Sequence, residues 1–119
     1  MPGKLTTHVL DTAHGCPAAG MRVALFRLDA SGAASELKSF ALDADGRAPG
    51  ALLEGATFLR GRYRLVFAVG AYFASRSSVL ADPPFLDDVP LDFGIAAVDQ
   101  HYHVPLLVSP WSYSTYRGS

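Results

Sequence analysis

The stretch HYHVPLLVSPWSYSTY occupies residues 101–116, and its first half alternates between two kinds of side chain. Successive side chains of a β-strand point to opposite faces, so one face of this stretch collects apolar groups: Tyr102, Val104, Leu106 and Val108. That face belongs in a core. His101 and His103 share the opposite face with residues 105, 107 and 109, so both histidines point away from the core. The pattern predicts a strand over 102–108, a turn at Ser109-Pro110 and a further strand over 112–116.

Pro105 is an objection to a regular strand. Proline lacks the N–H that a central strand donates, and it is found mostly on edge strands or at bulges. We nevertheless retain the strand. We expect a locally irregular ladder there.

The rest of the chain repeats short β-rich runs between clusters of turn-forming residues, which is typical of an all-β sandwich. Further strands are predicted at 5–10, 21–28, 36–42, 63–69 and 91–98. The separators contain glycine, proline, aspartate and serine, as in the Asp43-Ala44-Asp45-Gly46 cluster. Only residues 71–78 read as a short helix. A chain of 119 residues with this organisation is predicted to be one domain, 1–119.

Composition excludes several classes of protein. Half of the residues are hydrophobic and the net charge is −1, so there is neither the basic stripe of a nucleic-acid-binding protein nor the core-poor composition of a disordered chain. Cys16 is the one cysteine and cannot form an internal disulfide, which favours a reducing compartment. The first residues lack the apolar stretch of a secretory signal. These features predict a cytoplasmic protein with no membrane partner.

Polar groups gather on one predicted sheet face. In the first strand Leu5, Thr7 and Val9 oppose Thr6, His8 and Leu10. If the first strand and the last two are neighbours, their outer face collects the side chains of His8, His103, Ser114 and Tyr116. Two imidazoles on one surface are unusual for a face that is merely solvated.

Four separated segments carry a family resemblance: Leu5–Asp11 (LTTHVLD), Asp45-Gly46-Arg47, His101–Leu107 (HYHVPLL) and the ending Tyr116-Arg117-Gly118-Ser119. With them the chain resembles the 5-hydroxyisourate hydrolases of the transthyretin-like family. The resemblance implies a transthyretin-like two-sheet β-sandwich with one short helix. It also implies a homotetramer, a dimer of dimers, that opens 5-hydroxyisourate to 2-oxo-4-hydroxy-4-carboxy-5-ureidoimidazoline in urate catabolism. The family reaction needs no metal or other cofactor, so none is expected.

The family's functional residues match particular positions here. Its two catalytic histidines match His8 and His103, and its arginine matches Arg47, while Ser114 and Tyr116 fall where the family lines the substrate pocket. Histidine exchanges protons with water near neutral pH, and arginine supplies a fixed planar cation for an anionic ring and its oxyanion. His8 and His103 are therefore assigned jointly to water activation. Which of them is the general base stays open at this point.

Other interpretations remain. The main alternative is a transthyretin-like carrier that binds a small apolar ligand in a channel between subunits, although His8, His103 and Tyr116 make that channel polar and narrow. A structural β-sandwich module would leave the histidines unexplained. His8, His101 and His103 could together bind zinc. His101, His14 and Cys16 also have ordinary interpretations as exposed, loop and incidental residues.

Overall fold

The computed structural model describes residues 2–76 and 80–119 and consists of short strands with one α-helix. The strands are β1 (Lys4–Asp11), β2 (Cys16–Pro17), β3 (Arg22–Leu28), β4 (Ala34–Ala41), β5 (Leu53–Glu54), β6 (Gly61–Ala68), β7 (Asp88–Ile95), β8 (Tyr102–Val108) and β9 (Tyr113–Thr115). The helix α1 (Val69–Arg76) follows β6 directly, and a short 3₁₀ helix (Gly55–Thr57) follows β5. None of the described helices is long and apolar enough to span a membrane.

The strands form two sheets, which confirms the predicted all-β sandwich. One sheet has the order β2-β1-β8-β9, with β5 also paired to β1, and the other has the order β4-β3-β6-β7. β1 and β8 run parallel, whereas the other pairs are antiparallel. The first strand therefore lies beside the penultimate one, so the histidine-bearing segments at the two ends of the sequence become neighbours.

The core lies between the sheets and follows the predicted alternation. Every second residue of β1 from Leu5 to Asp11 is buried, and the residues between them are partly exposed. β8 buries its apolar face in the same way, and β6 contributes Tyr63, Leu65 and Phe67 from the opposite sheet. Burying apolar surface contributes roughly 25 cal/mol per Å² to the free energy of unfolding. The alternation therefore determines that the face of β1 and β8 that carries His8 and His103 points away from the core.

Several predicted boundaries differ from the observed ones. The helix begins two residues before the predicted Ala71, and the predicted end at Ser77 and Ser78 lies outside the described residues. β7 begins at Asp88 and ends at Ile95, whereas 91–98 was expected, because β7 pairs with β6 along its whole length from Ala68↔Asp88 to Gly61↔Ile95. β2 and β5 were not predicted, since two residues carry no periodicity to detect.

Pro105 lies in a central strand and interrupts the ladder on one side only. The pairing of β8 with β1 runs unbroken from Tyr102 to Val108. On the other side the β9 ladder ends at Leu106↔Thr115 and resumes as the isolated bridge His103↔Gly118 in the same alignment. His103 exchanges both main-chain hydrogen bonds with Gly118. Every second residue of a strand directs its main-chain groups to the same side, so Pro105 also faces the β9 side of the sheet. Pro105 has no N–H to donate on that side, so the expected irregularity of the ladder is confirmed.

Candidate active site

The outer face of the β1-β8-β9 sheet carries the predicted residues in two adjacent rows. Thr6 lies beside His103, which bridges to Gly118, and this forms one row. His8 lies beside Pro105 and bridges on its other side to Arg47, which forms the next row. Neighbouring strands are about 4.8 Å apart, so the structure brings His8, His103 and Arg47 together on one surface.

His103 is held from both sides of its strand. Its Nδ1 lies 2.8 Å from the Thr6 hydroxyl oxygen. Its main chain donates to the Gly118 carbonyl at 3.2 Å and accepts from the Gly118 N–H at 2.7 Å. A Cβ placed on Gly118 would lie 3.1 Å from both Cβ and Cδ2 of His103, so the imidazole packs closely over this glycine. The tail glycine therefore leaves room for the ring that it helps to hold.

Burial lowers the pKa of His103, and electrostatic interaction with Arg47, and with His8 and His101 in their protonated forms, lowers it further. A lowered pKa keeps this imidazole neutral at neutral pH, which is the state that accepts a proton from water.

We expect an NMR titration of the native protein to give a His103 pKa below the usual ~6.5 of histidine. In Arg47→Gln the pKa should rise, because removing a nearby cation makes protonation easier. Arg22→Gln, which removes a cation from the other sheet, should leave the His103 pKa unchanged. A His103 titration that is the same in Arg47→Gln as in the native protein would contradict the charge contact.

Arg47 reaches β1 through a tight turn. The Asp43 carboxylate accepts hydrogen bonds from the N–H groups of Asp45 and Arg47, and the Asp43 N–H donates to the Arg47 carbonyl at 2.8 Å. Gly46 has φ +73°, and a Cβ there would lie 2.5 Å from the Val9 carbonyl oxygen. Only glycine allows the turn to approach β1 this closely. The Asp-Gly pair thus positions the exposed arginine beside His8.

Ser114 lies further from this centre than the predicted pocket would require within one chain, whereas Tyr116 is aligned with the row of His8. Ser114 pairs with Leu107, four positions along β8 from His103, which places it about 13 Å from the His103 row at ~3.3 Å per residue. Tyr116 follows the end of β9 and is 61% exposed. In the alignment shared by Leu106↔Thr115 and His103↔Gly118 it lies opposite Pro105, the neighbour of His8. Tyr116 is therefore aligned with the histidine rows, and Ser114 is not.

The tail also contacts the segment that leads into β8. The Arg117 guanidinium donates to the Gln100 side-chain oxygen at 3.0 Å and to the His101 carbonyl at 3.2 Å. It lies 4.1 Å from the centre of the Tyr102 ring, within the range of a cation–π contact. Sequence reasoning left Arg117 and Gly118 without a role, yet both hold the strand that carries the histidines.

His14 and Cys16 lie outside this site, and the described residues do not support the zinc hypothesis. The His14 ring donates from Nδ1 to the Asp11 carboxylate at 2.7 Å near the end of β1, and Cys16 is a partly buried free thiol. Within residues 2–76 and 80–119, no three histidine, cysteine, aspartate or glutamate side chains are grouped so that they could hold a metal ion. The structure therefore does not place His8, His101 and His103 as a zinc-binding set.

Comparison with known proteins identifies the family of the chain. The family model described as HIUase/Transthyretin family matches residues 5–118. A curated relative from Mesorhizobium japonicum, named 5-hydroxyisourate hydrolase, is 59% identical over 98% of this chain and 93% of its own length.

Two solved structures share the fold at high similarity. An (S)-allantoin synthase superposes with a TM-score of 0.93 at 52% identity, covering 99% of this chain, which spans 44% of that longer chain. The Klebsiella pneumoniae 5-hydroxyisourate hydrolase superposes with a TM-score of 0.79 at 33% identity, covering 98% of this chain and 99% of the other. With a family match over nearly the whole sequence and close identity along its length, the chain belongs to the HIUase/Transthyretin family.

Proposed function

We propose that the protein hydrolyses 5-hydroxyisourate to 2-oxo-4-hydroxy-4-carboxy-5-ureidoimidazoline, a step of urate degradation. The observation that carries the proposal is the outer sheet face on which His8, His103 and Arg47 become neighbours although they lie far apart in sequence. The 59% identity to a curated hydrolase of that name supports the same reaction. A carrier would not need two imidazoles and a guanidinium on this face.

The chemistry of these groups suits hydrolysis of a ring amide. Neutral His103 accepts a proton from water as the water oxygen attacks the amide carbonyl carbon. Arg47 binds the anionic ring and stabilises the oxyanion that forms on the carbonyl oxygen. The C–N bond then breaks, and the departing nitrogen takes a proton from the histidine pair, to which His8 belongs. Water is thus divided between the new carboxyl group and the released N–H, without a metal or other cofactor in this scheme.

We infer that the site is completed by a second copy of the chain in a homotetramer, a dimer of dimers. We assign Ser114 and Tyr116 to substrate binding. Ser114 lies away from the histidines within one chain, so pairing of two such faces would bring further groups to the substrate. β4 and β7 are the edges of their sheet, and free edges favour pairing with another copy. Light scattering at micromolar concentration tests this inference, and a fully active monomer would overturn it.

A cytoplasmic location is the corresponding proposal for the compartment. It rests on Cys16, the one cysteine in the sequence, which a reducing environment keeps as a thiol. The hydrolase domain is taken to comprise the whole chain, 1–119, because both sheets draw strands from its two halves. Fractionation of cells that express the tagged protein from its own promoter checks the compartment.

The deciding experiment follows the ultraviolet decay of 5-hydroxyisourate generated in place by urate oxidase. The native protein should accelerate the decay far beyond the rate in buffer. Decay no faster than in buffer would remove the hydrolase proposal. Binding of small apolar ligands by the same preparation would then favour the carrier interpretation.

A further inference from the structure

The Thr6 hydroxyl lies between two imidazoles. Its oxygen is 3.0 Å from Nε2 of His101 and 2.8 Å from Nδ1 of His103. The two rings stack with 6.5 Å between their centres and 26° between their planes. All three side chains are partly buried, so these hydrogen bonds are shielded from bulk water.

Proton counting restricts what this arrangement can be. A hydroxyl group has one proton to donate, and each neutral imidazole has one N–H and one bare nitrogen. If both bonds are formed, Thr6 donates to one histidine and accepts from the other. Thr6 therefore links the tautomer of His103 to the state of His101.

We propose that Thr6 is a positioning residue that donates to Nε2 of His101 and accepts from Nδ1–H of His103, which leaves Nε2 of His103 bare to act as the general base. The direction of the bonds rests on the proposed hydrolase function, because a base at the outer face needs its unprotonated nitrogen directed away from Thr6. This fixes the tautomer that His103 needs as the base and gives His101 a role in holding that tautomer.

Protonation of His101 reverses the arrangement. A charged imidazole has N–H groups at both nitrogens, so its Nε2 can only donate to Thr6. The Thr6 proton then turns towards Nδ1 of His103, whose own proton must lie on Nε2. His103 in that form cannot accept a proton from water at Nε2. The charged groups around the pair are Arg47 and His8, which act on His103, and Arg117, which binds the His101 carbonyl.

The test compares Thr6→Val, which removes the hydroxyl but keeps the shape, with Thr6→Ser, which retains it. The ¹⁵N chemical shifts of the His103 ring distinguish a bare nitrogen from a protonated one. In the native protein and in Thr6→Ser at neutral pH, Nδ1 should be protonated and Nε2 bare. In Thr6→Val the His103 ring should become a mixture of tautomers. kcat should fall about tenfold to a hundredfold in Thr6→Val and stay within about threefold of native in Thr6→Ser.

His101→Phe provides the second arm, because it keeps a stacked ring and removes the acceptor nitrogen. In His101→Phe the His103 ring should become a mixture of tautomers, because Thr6 has lost the acceptor that fixes the direction of its proton. Native tautomers and native kcat in Thr6→Val would overturn the proposal, as would an Nε2 proton on His103 in the native protein. If the native protein fails to hydrolyse 5-hydroxyisourate while the NMR tautomers respond to Thr6→Val as expected, the proposed function is wrong and the linkage of the two imidazoles stands.

Discussion

Replacing His103 by alanine is expected to lower kcat/KM for 5-hydroxyisourate by a factor of about 10² to 10⁴, the usual contribution of a positioned general base. His103 has the features that such a base requires. Burial and three neighbouring cationic or ionisable groups lower its pKa, so it is neutral at working pH. Its ring is held by Thr6, and its main chain is held by Gly118. The decay of 5-hydroxyisourate in the ultraviolet measures the effect directly.

His14→Ala is the matched control. It also removes an imidazole, but from the turn after β1, where the His14 ring contacts Asp11. This variant should keep kcat/KM within about threefold of the native value, the range of changes that do not touch a reacting group. Circular dichroism should show native strand content for both variants, since His103 contributes its ring to the outer face rather than to the core. A folded His103→Ala protein with native activity would remove His103 from the mechanism.

The faces of β1 and β8 could be predicted from sequence because one side of each of these strands is buried. In β1 and β8 the alternation of apolar and polar residues leaves one arrangement that fills the core, and a shift of one position would bury His8 and His103. The structure confirms this alternation. Alternation in the sequence could not reveal β2 and β5. Each has only two residues, which are ordered by pairing with β1 rather than by a pattern of their own.

The composition of the site was predictable only in part. Alternation predicts only that His8 and His103 point away from the core, whereas the adjacency of their strands, their catalytic assignment and the inclusion of Arg47 came from resemblance to a family. The structure supplies the physical reason, which is the close approach of Gly46 to the Val9 carbonyl. Thr6 shares the face of His8 and was visible as a polar residue there. Its position between two imidazoles depends on ring rotamers and on a partner about a hundred residues away, which no local pattern encodes.

Asp11 is a core residue whose hydrogen-bond partners the sequence pattern could not predict. The alternation of β1 puts it on the buried face after Leu5, Thr7 and Val9, and it is 0% exposed. A buried carboxylate requires partners. The structure supplies them from α1 and from the turn after β1: Tyr72 donates its hydroxyl at 2.8 Å, and the His14 ring lies at 2.7 Å. The N–H groups of Ala13 and His14 donate as well, each at 3.0 Å.

These partners determine the ionisation of Asp11. Burial by itself raises the pKa of the carboxyl group, but the hydrogen bonds from Tyr72 and His14 outweigh it, so the pKa lies below its usual value. Burial and the Asp11 carboxylate raise the pKa of Tyr72, which keeps its hydroxyl a donor. A carboxyl group with a lowered pKa in the folded state stabilises the fold at neutral pH. That stabilisation is lost as the pH falls through the lowered pKa.

Asp11→Ala is therefore expected to reduce the free energy of unfolding by about 3–5 kcal/mol at neutral pH, the cost of breaking a buried, hydrogen-bonded charge. The substitution leaves the Tyr72 hydroxyl and two N–H groups without their acceptor and disconnects α1 from β1. Urea denaturation followed by circular dichroism measures the loss. Tyr72→Phe, which removes a single bond, should cost about 1–2 kcal/mol, and Asp88→Ala, at an exposed position, should change stability by less than about 0.5 kcal/mol.

The pH dependence separates the charge of Asp11 from simple loss of packing. Since protonated Asp11 no longer contributes its charge, the stability difference between native protein and Asp11→Ala should shrink as the pH is lowered below ~3.9, the usual value for aspartate. A packing defect would give the same difference at every pH. A constant difference would thus assign Asp11 a steric role, whereas a shrinking one shows that its ionised carboxylate joins the helix to the strand that carries His8 and Thr6.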